Sequence, residues 1–190
     1  MRILTFSPEN FPQFISHLNA GLPLIFPTDT SYGFSGDPFC ESVVKRVEEI
    51  KGRQKKPFLL LVADQKHMEE YGDTSPLQPE HFFNAKTVPT TFLLPKTSIL
   101  QKSSFFPDFQ EIGLRIPVFP LLQEFLTPYA KPIFSTSANF SGEPPIFTTA
   151  GIVEKFSSLP DVLFADFGNL PVSPPSLILH IQSGQTEFLR

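Results

Sequence analysis

The residues best equipped for chemistry in this chain are short side chains carrying a hydroxyl or an amide, and they come in clusters. The densest is Ser135-Thr136-Ser137-Ala138-Asn139-Phe140-Ser141-Gly142, in which five of eight side chains carry such a group. It follows an apolar segment, Pro132-Ile133-Phe134, that reads as a strand. A strand running into a hydroxyl-rich, glycine-ended turn suits an anion or nucleotide, because backbone N–H groups there can point at phosphate and the hydroxyls add donors. The same residue types also build ordinary turns, so the run alone leaves both readings open. A second cluster, Pro27-Thr28-Asp29-Thr30-Ser31-Tyr32-Gly33, lies just past a short apolar strand. Ligands of layered sheets bind beyond strand ends. Thr28, Thr30 and Ser31 offer hydroxyls, Asp29 offers a carboxylate for an ammonium group or a metal, and Tyr32 could wall a pocket. The plainer alternative is a polar strand-to-helix connection with Asp29 bonded to nearby backbone N–H groups.

The cations stand apart from these clusters. Lys51-Gly52-Arg53, followed by Gln54-Lys55-Lys56-Pro57, places two cations about a glycine at a helix end. Lys51 and Arg53 could neutralise a triphosphate or grip a carboxylate, Arg through its fork. A helix C-terminus attracts cations without any ligand as well. Arg115, in Gly113-Leu114-Arg115-Ile116-Pro117, interrupts an apolar strand. An Arg there is expensive to bury without a partner, so it either reaches solvent from an edge strand or faces a phosphate or carboxylate. Ser176, stiffened by Pro174-Pro175, is either one more donor at the sheet edge or a turn residue. There is no Gly-x-Ser-x-Gly elbow and Cys40 has no His near it in sequence, so covalent catalysis is not expected. Neither common phosphate loop is present. Hydroxyls with Lys and Arg favour positioning and charge stabilisation, as in nucleotidyl or phosphoryl transfer.

These groups need a scaffold, and the hydrophobic pattern supplies one. Ile3–Phe6, Leu24–Phe26, Phe58–Val62, Phe92–Leu94, Leu114–Ile116, Ile133-Phe134, Val162–Ala165 and Leu177–Leu179 read as strands, with Phe58–Val62 covered on both faces. Ser7-Pro8-Glu9 supplies an N-cap, a first-turn proline and an early acid. Phe11, Phe14, Ile15 and Leu18 follow at helical spacing, and Gly21 stands where that helix should stop. Val43, Val44, Val47 and Ile50 form a second helical stripe that closes at Lys51-Gly52. Leu121, Leu122, Phe125 and Leu126 mark another helix, and Ile152, Val153 and Phe156 a shorter one. Strands interleaved with helices predict an α/β chain of the α+β type, an open twisted sheet, mostly parallel or mixed, flanked by helices.

The 190 residues show no repeat, linker or charge block, so one domain over 1–190 is expected, with length enough for a real core. A net charge of −4 and a pI near 5.5 argue against non-specific nucleic-acid binding as the main role. Cys40 is the only cysteine, which precludes an internal disulfide and fits a reducing cytoplasm. His17, His67, His81 and His180 are scattered, and no zinc or other metal ligand set is expected. No leader pattern and no apolar run of membrane-spanning length is seen. The 22 Phe, with no Trp, should fill core volume, and the 21 Pro should mark strand ends and stiff loops.

Taken in order, the clusters resemble the YrdC/TsaC family, the L-threonylcarbamoyladenylate synthases. Pro27 to Phe34 is similar to that family's Pro-Thr-Asp/Glu-Thr-x-Tyr-Gly-Leu, Lys51-Gly52-Arg53 to its Lys-x-Arg, Arg115-Ile116-Pro117 to its Arg-x-Pro, and Ser135–Gly142 to its Ser-Thr-Ser-Ala-Asn-x-Ser-Gly. The resemblance runs from about Gly21 to the end and implies a YrdC-like fold in the short form, without a further C-terminal domain. It implies a reaction in which threonine and bicarbonate (or CO2) give an N-carboxy-threonine. The new carboxylate then attacks the α-phosphorus of ATP and expels pyrophosphate. The product, threonylcarbamoyl-AMP, passes to a transferase complex that modifies an adenosine beside the anticodon of certain tRNAs; a weak tRNA contact is a further expectation, and no membrane is involved. In these terms Lys51 and Arg53 are catalytic cations, with Mg²⁺ carried through the ATP phosphates. Thr28, Asp29, Thr30, Tyr32 and Ser176 hold threonine and bicarbonate. Arg115, Ser135, Ser137, Asn139 and Ser141 face ATP.

Two departures stand out. The family's Pro-Gly-Pro-x-Thr is Thr87-Val88-Pro89-Thr90-Thr91 here, and its Pro-Ser-Thr is Pro175-Ser176-Leu177. They speak for a rival reading, a non-catalytic nucleotide- or RNA-binding paralogue. The intact Ser137-Ala138-Asn139 and the acidic charge speak against it. A carbamoyl-transfer module of a much longer chain with zinc-finger motifs is the other rival, and the lack of a Cys cluster speaks against that one.

Overall fold

The computed structural model describes residues 1–190 except 53–57, 104, 105, 107, 183, 184 and 190. Its frame is a mixed sheet of ten strands: β1 (Arg2–Thr5), β2 (Leu24–Pro27), β3 (Tyr32–Gly36), β4 (Leu59–Leu61), β5 (Thr90–Pro95), β6 (Glu111–Arg115), β7 (Ile133–Ser137), β8 (Leu163–Asp166), β9 (Leu177–Gln182) and β10 (Gln185–Phe188). They lie side by side in the order β1-β8-β2-β3-β7-β4-β6-β5-β9-β10. β1–β8, β8–β2, β4–β6 and β5–β9 are parallel, and the other neighbours antiparallel. The helices are α1 (Phe11–Asn19), entered through a 3₁₀ turn at Pro8–Asn10, then α2 (Glu41–Lys51), α3 (Gln65–Tyr71), α4 (Pro79–Asn84), α5 (Pro120–Tyr129) and α6 (Thr149–Phe156). The expected strands and four helices are all present. Gly21 and Gly52 end α1 and α2 in the left-handed region, at φ 68° and 64°.

Five elements among the described residues were not expected: strands β3 and β10, helices α3 and α4, and a 3₁₀ helix at Ser98–Lys102. The polar run after β2 is not a strand-to-helix connection. It is a tight hairpin into β3, in which Thr28 Oγ1 donates to Ser31 O at 2.7 Å and accepts the Ser31 N–H at 3.2 Å. The small residues of Tyr32-Gly33-Phe34-Ser35-Gly36 carry little strand preference. They are a strand because β7 lies so close: a Cβ on Gly33 would stand 2.8 Å from Ser135 Oγ.

Successive strand residues point to opposite faces of a sheet, and here the two faces bury different sets. One receives α2, α3 and α6, with Val47, Met68, Ile152 and Phe156 against Phe34, Leu60, Phe92, Leu114 and Phe134. The other receives α1 and α5, where Phe6, Phe11, Phe14, Phe26 and Phe125 pack edge-on or tilted, Phe26 and Phe125 with ring centroids 4.9 Å apart. The phenylalanine excess therefore does fill core volume. β4 is covered on both faces, Leu60 joining the first core and Leu61 the second.

Candidate active site

On the α1/α5 face, β6, β5 and β9 carry polar and half-buried residues in place of a continuous core. β6 turns Ile112 and Leu114 into the first core and shows Glu111, Gly113 and Arg115 to the other side; β5 shows Thr91 and Leu93, and β9 shows Ile178. These residues floor a cavity of about 600 Å³. The β2–β3 hairpin closes one side with Thr28, Thr30 and Ser31, and the end of β7 another with Ser135, Ser137 and Asn139. Ser173 and Ser176 enter from the segment before β9.

The Ser135–Gly142 run begins as β7 and then turns on a knot of hydrogen bonds. Asn139 Oδ1 accepts from Ser137 Oγ at 2.5 Å and from Lys51 Nζ at 3.1 Å, and Asn139 Nδ2 donates to Glu143 O. Lys51 Nζ also donates to Ser137 O at 2.5 Å and Asn139 O at 2.9 Å. This corrects the view of Lys51 as a cation open to phosphate. Only 3 % exposed, it lies outside the cavity lining and braces the turn from α2, because its ammonium meets carbonyls at a helix end packed against β7. Ser141 is likewise outside the lining; its N–H donates to Lys51 O at 3.0 Å.

The Arg115 question resolves toward the cleft. β6 is an interior strand, and Arg115 lies in the lining. Asp29 is its partner, Oδ1 standing 3.2 Å from Arg115 Nη2, with the two side chains 2 % and 3 % exposed. Asp29 Oδ2 accepts the Val118 N–H at 2.8 Å. Asp29 thus meets Arg115 and the loop after β6 and stands outside the cavity lining, away from the ammonium- or metal-facing position expected of it. Tyr32 is also displaced from its expected place. Wholly buried and outside the lining, it donates to Gly168 O at 2.7 Å and accepts the Phe167 N–H at 3.1 Å, tying β3 to the segment after β8. Burial raises its phenol pKa above the ordinary value.

Of the residues singled out from sequence, Thr28, Thr30, Arg115, Ser135, Ser137, Asn139 and Ser176 come together around one cavity. Arg53 lies outside the described residues. Thr91 and Glu111 were missed. Thr91 Oγ1 lies 2.9 Å from Ser176 Oγ, which joins β5 to the start of β9. Its signal was present, since it closes the stretch Thr87–Thr91; Glu111 had none. The two departures bear little on the cavity. Thr87 and Val88 are exposed, and the chain past them still delivers Thr91, with Pro89 O accepting the Leu177 N–H at 2.9 Å. Leu177 shares its face of β9 with Leu179 of the first core, so a hydroxyl there would not point into the cleft.

Among known proteins, the family model Sua5/YciO/YrdC, described as "Telomere recombination", matches residues 16–190. The threonylcarbamoyl-AMP synthase of Vibrio parahaemolyticus is 31 % identical over 153 residues, covering 77 % of this chain and 81 % of that protein. That of Pseudoalteromonas atlantica is 32 % identical over 172 residues, covering 88 % and 90 %. The structure of P. abyssi Sua5 complexed with L-threonine superposes with a TM-score of 0.83 at 22 % identity, over 100 % of this chain but 56 % of that one. With its motifs gathered at one cleft and the family match running over nearly all its length, the chain belongs to the Sua5/YciO/YrdC family.

Proposed function

We infer that this chain is a threonylcarbamoyl-AMP synthase, making threonylcarbamoyl-AMP and pyrophosphate from L-threonine, bicarbonate and ATP. One observation carries the reading: the β2–β3 hairpin and the β7 turn present their hydroxyls across a single cavity, with the oriented Arg115 between them. Such a cavity can hold a small hydroxy amino acid on one side and a nucleotide on the other. The relatives named as threonylcarbamoyl-AMP synthases and the threonine complex of Sua5 support threonine as a substrate.

In this reading Thr28, Thr30 and Ser176 hold threonine. Its neutral amine condenses with bicarbonate, losing one water, to form a carbamate. Ser135, Ser137, Asn139 and Arg115 hold the nucleotide so that a carbamate oxygen stands in line with the α-phosphorus. The new P–O bond forms as the bond to pyrophosphate breaks, and orientation and charge stabilisation supply the rate. Lys51 acts by fixing Ser137 and Asn139, and Arg53 is the cation assigned to the departing phosphates. Mg²⁺ belongs to the nucleotide substrate. Among the described residues no cluster of three or more His, Cys, Asp or Glu is placed to hold a metal, so the phosphates would be its ligands. The product would pass to a threonylcarbamoyl-transferase complex acting on tRNA in the cytoplasm, with at most a weak tRNA contact by this chain. No helix among the described residues is long and apolar enough to cross a membrane.

The test is pyrophosphate release from ATP, Mg²⁺ and bicarbonate with single amino acids. Release should require threonine, and Arg53→Ala should abolish it while leaving the thermal midpoint unchanged. Release with none of the amino acids would turn the reading toward a binding protein, and release that needs no amino acid would turn it toward a different ATP-cleaving enzyme.

A further inference from the structure

We propose that Glu111, held by His180, reads the amino group of the nucleobase and so sets nucleotide selectivity in the cleft. The inference rests on the reading of the cleft as an ATP site. Two carboxylates line the cavity among the described residues, Glu111 and Glu143. Glu143 is committed to the rim, where Lys155 pairs with it while lying over the Phe140 ring. Glu111 is differently placed. It projects from β6 and meets His180 of β9 across the intervening β5, Nε2 donating to Oε1 at 2.9 Å. The His180 side chain is 8 % exposed and that of Glu111 34 %, so the imidazole is enclosed while the carboxylate still opens on the cleft. An ionised carboxylate only accepts hydrogen bonds. The group it would meet is therefore a hydrogen-bond donor, an N–H or an O–H.

Position decides which donor. Glu111 and Arg115 are four residues apart on one face of β6, about 13 Å at strand rise. Arg115 and the Thr28–Thr30 hairpin mark the end that takes the amino acid and phosphate. The ammonium and carboxylate of an amino acid share one carbon, so threonine seated at that hairpin does not reach Glu111. A nucleotide, with its phosphates and base at opposite ends, does. Between Arg115 and Glu111 the floor is Gly113, paired with Leu93 and lying against Leu59, with Ile178 nearby. That surface is low and apolar and suits the flat face of a ring, with Glu111 at the ring's edge. A base without an amino group would offer this carboxylate no donor beyond His180, and a site built to bond a missing group discriminates strongly.

Isothermal titration without amino acid, using ATP and purine riboside 5′-triphosphate (the same nucleotide without the exocyclic amine), tests this. Wild type should bind ATP at least about tenfold more tightly than the analogue. Glu111→Ala should bind the two alike. Glu111→Gln, whose amide oxygen still accepts, should keep part of the preference. His180→Phe should lose most of it while still binding both nucleotides; its thermal midpoint reports folding separately, and Glu111→Gln carries the test if it fails to fold. Equal binding of the two nucleotides by wild type, or an unchanged preference in Glu111→Ala, overturns the inference and leaves the ATP reading standing. Binding of neither nucleotide by wild type overturns both.

Discussion

At the scale of single residues the cleft depends on charges buried for positioning. Asp29 and Arg115 are nearly inaccessible, and the pair joins the β2–β3 hairpin to the end of β6. Buried pairs gain little over well-packed apolar residues, but breaking one by removing a single partner costs about 3–5 kcal/mol. Asp29→Ala should therefore lower stability to urea by roughly that amount. The double variant Asp29→Leu/Arg115→Met should recover much of the loss without recovering pyrophosphate release. A double variant as unstable as the single one would mean that packing, not the broken ion pair, set the cost. The Arg115 half of the pair was legible in sequence, because a lone Arg in an apolar strand demands a partner. Asp29 was not, since nothing in a linear pattern brings a hairpin tip to a strand end so far along the chain. Lys51 was misread for the same reason. Its type and its place at a helix end suited phosphate, and only the packing of α2 against β7 puts carbonyls around its ammonium.

At the scale of elements, the site is held by strands that violate strand preference. β3 carries Gly33 and Gly36, and β7 approaches it so closely that a Cβ on Gly33 would meet Ser135 Oγ at 2.8 Å and Thr136 O at 3.2 Å. The side-chain oxygen can rotate away, but the backbone carbonyl belongs to the β3–β7 ladder. Gly33→Ala should therefore displace β7 and cost about 1–3 kcal/mol, as overpacking does. It should also weaken nucleotide binding, because Ser135 and Ser137 ride on that strand. Gly142→Ala is the control: nothing lies within 4 Å of its added Cβ, and only its φ of 88° opposes the change. If calorimetry shows equal loss of ATP affinity in the two variants, close β3–β7 packing is not what places the serines. The elements that escaped sequence reading follow this logic. β3 was hidden by glycines and serine chosen for proximity. α3 has seven residues and starts from Asp64, whose carboxylate caps the His67 N–H at 2.8 Å, too short a span for helical periodicity to stand out. The long apolar stripes of α1, α2 and α5 were plain, because each covers a core rather than a site.

At the scale of the whole molecule, the sheet separates two cores, and each has a helix held by an imidazole, half-buried on α1 and buried on α3. His17 of α1 sits against the second core, with Nε2 2.9 Å from Pro23 O. His67 of α3 packs at the first, its Nδ1 accepting the Ala63 N–H at 3.2 Å and its ring lying edge-on to Tyr71. Burial pushes both imidazoles below their ordinary pKa of 6.5, and for His67 the nearby Glu70 and Asp64 oppose that shift without overcoming it. The sign follows from proton counting. Around pH 6.5 the unfolded chain binds protons at these sites that the folded chain refuses, so their stabilisation is complete above that pH and is lost as pH falls through it. For His67 the loss has a structural cause, since protonating Nδ1 removes the acceptor that holds Ala63 at the end of β4. Carboxylates act lower: the Arg46 hydrogen bond holds Asp161 below its ordinary 3.8, so its contribution fades only under more acid conditions. The urea midpoint of wild type should therefore fall between pH 7.5 and 5.5. His67→Gln, which keeps an acceptor for Ala63 but cannot ionise, should flatten that fall and leave the part due to His17. Parallel profiles for the two proteins would show that α3 does not sense pH through His67. The cleft, floored by β5, β6 and β9 where these two helices do not reach, should keep its ATP affinity in His67→Gln at neutral pH, which separates the stability of the cores from the chemistry laid on the sheet between them.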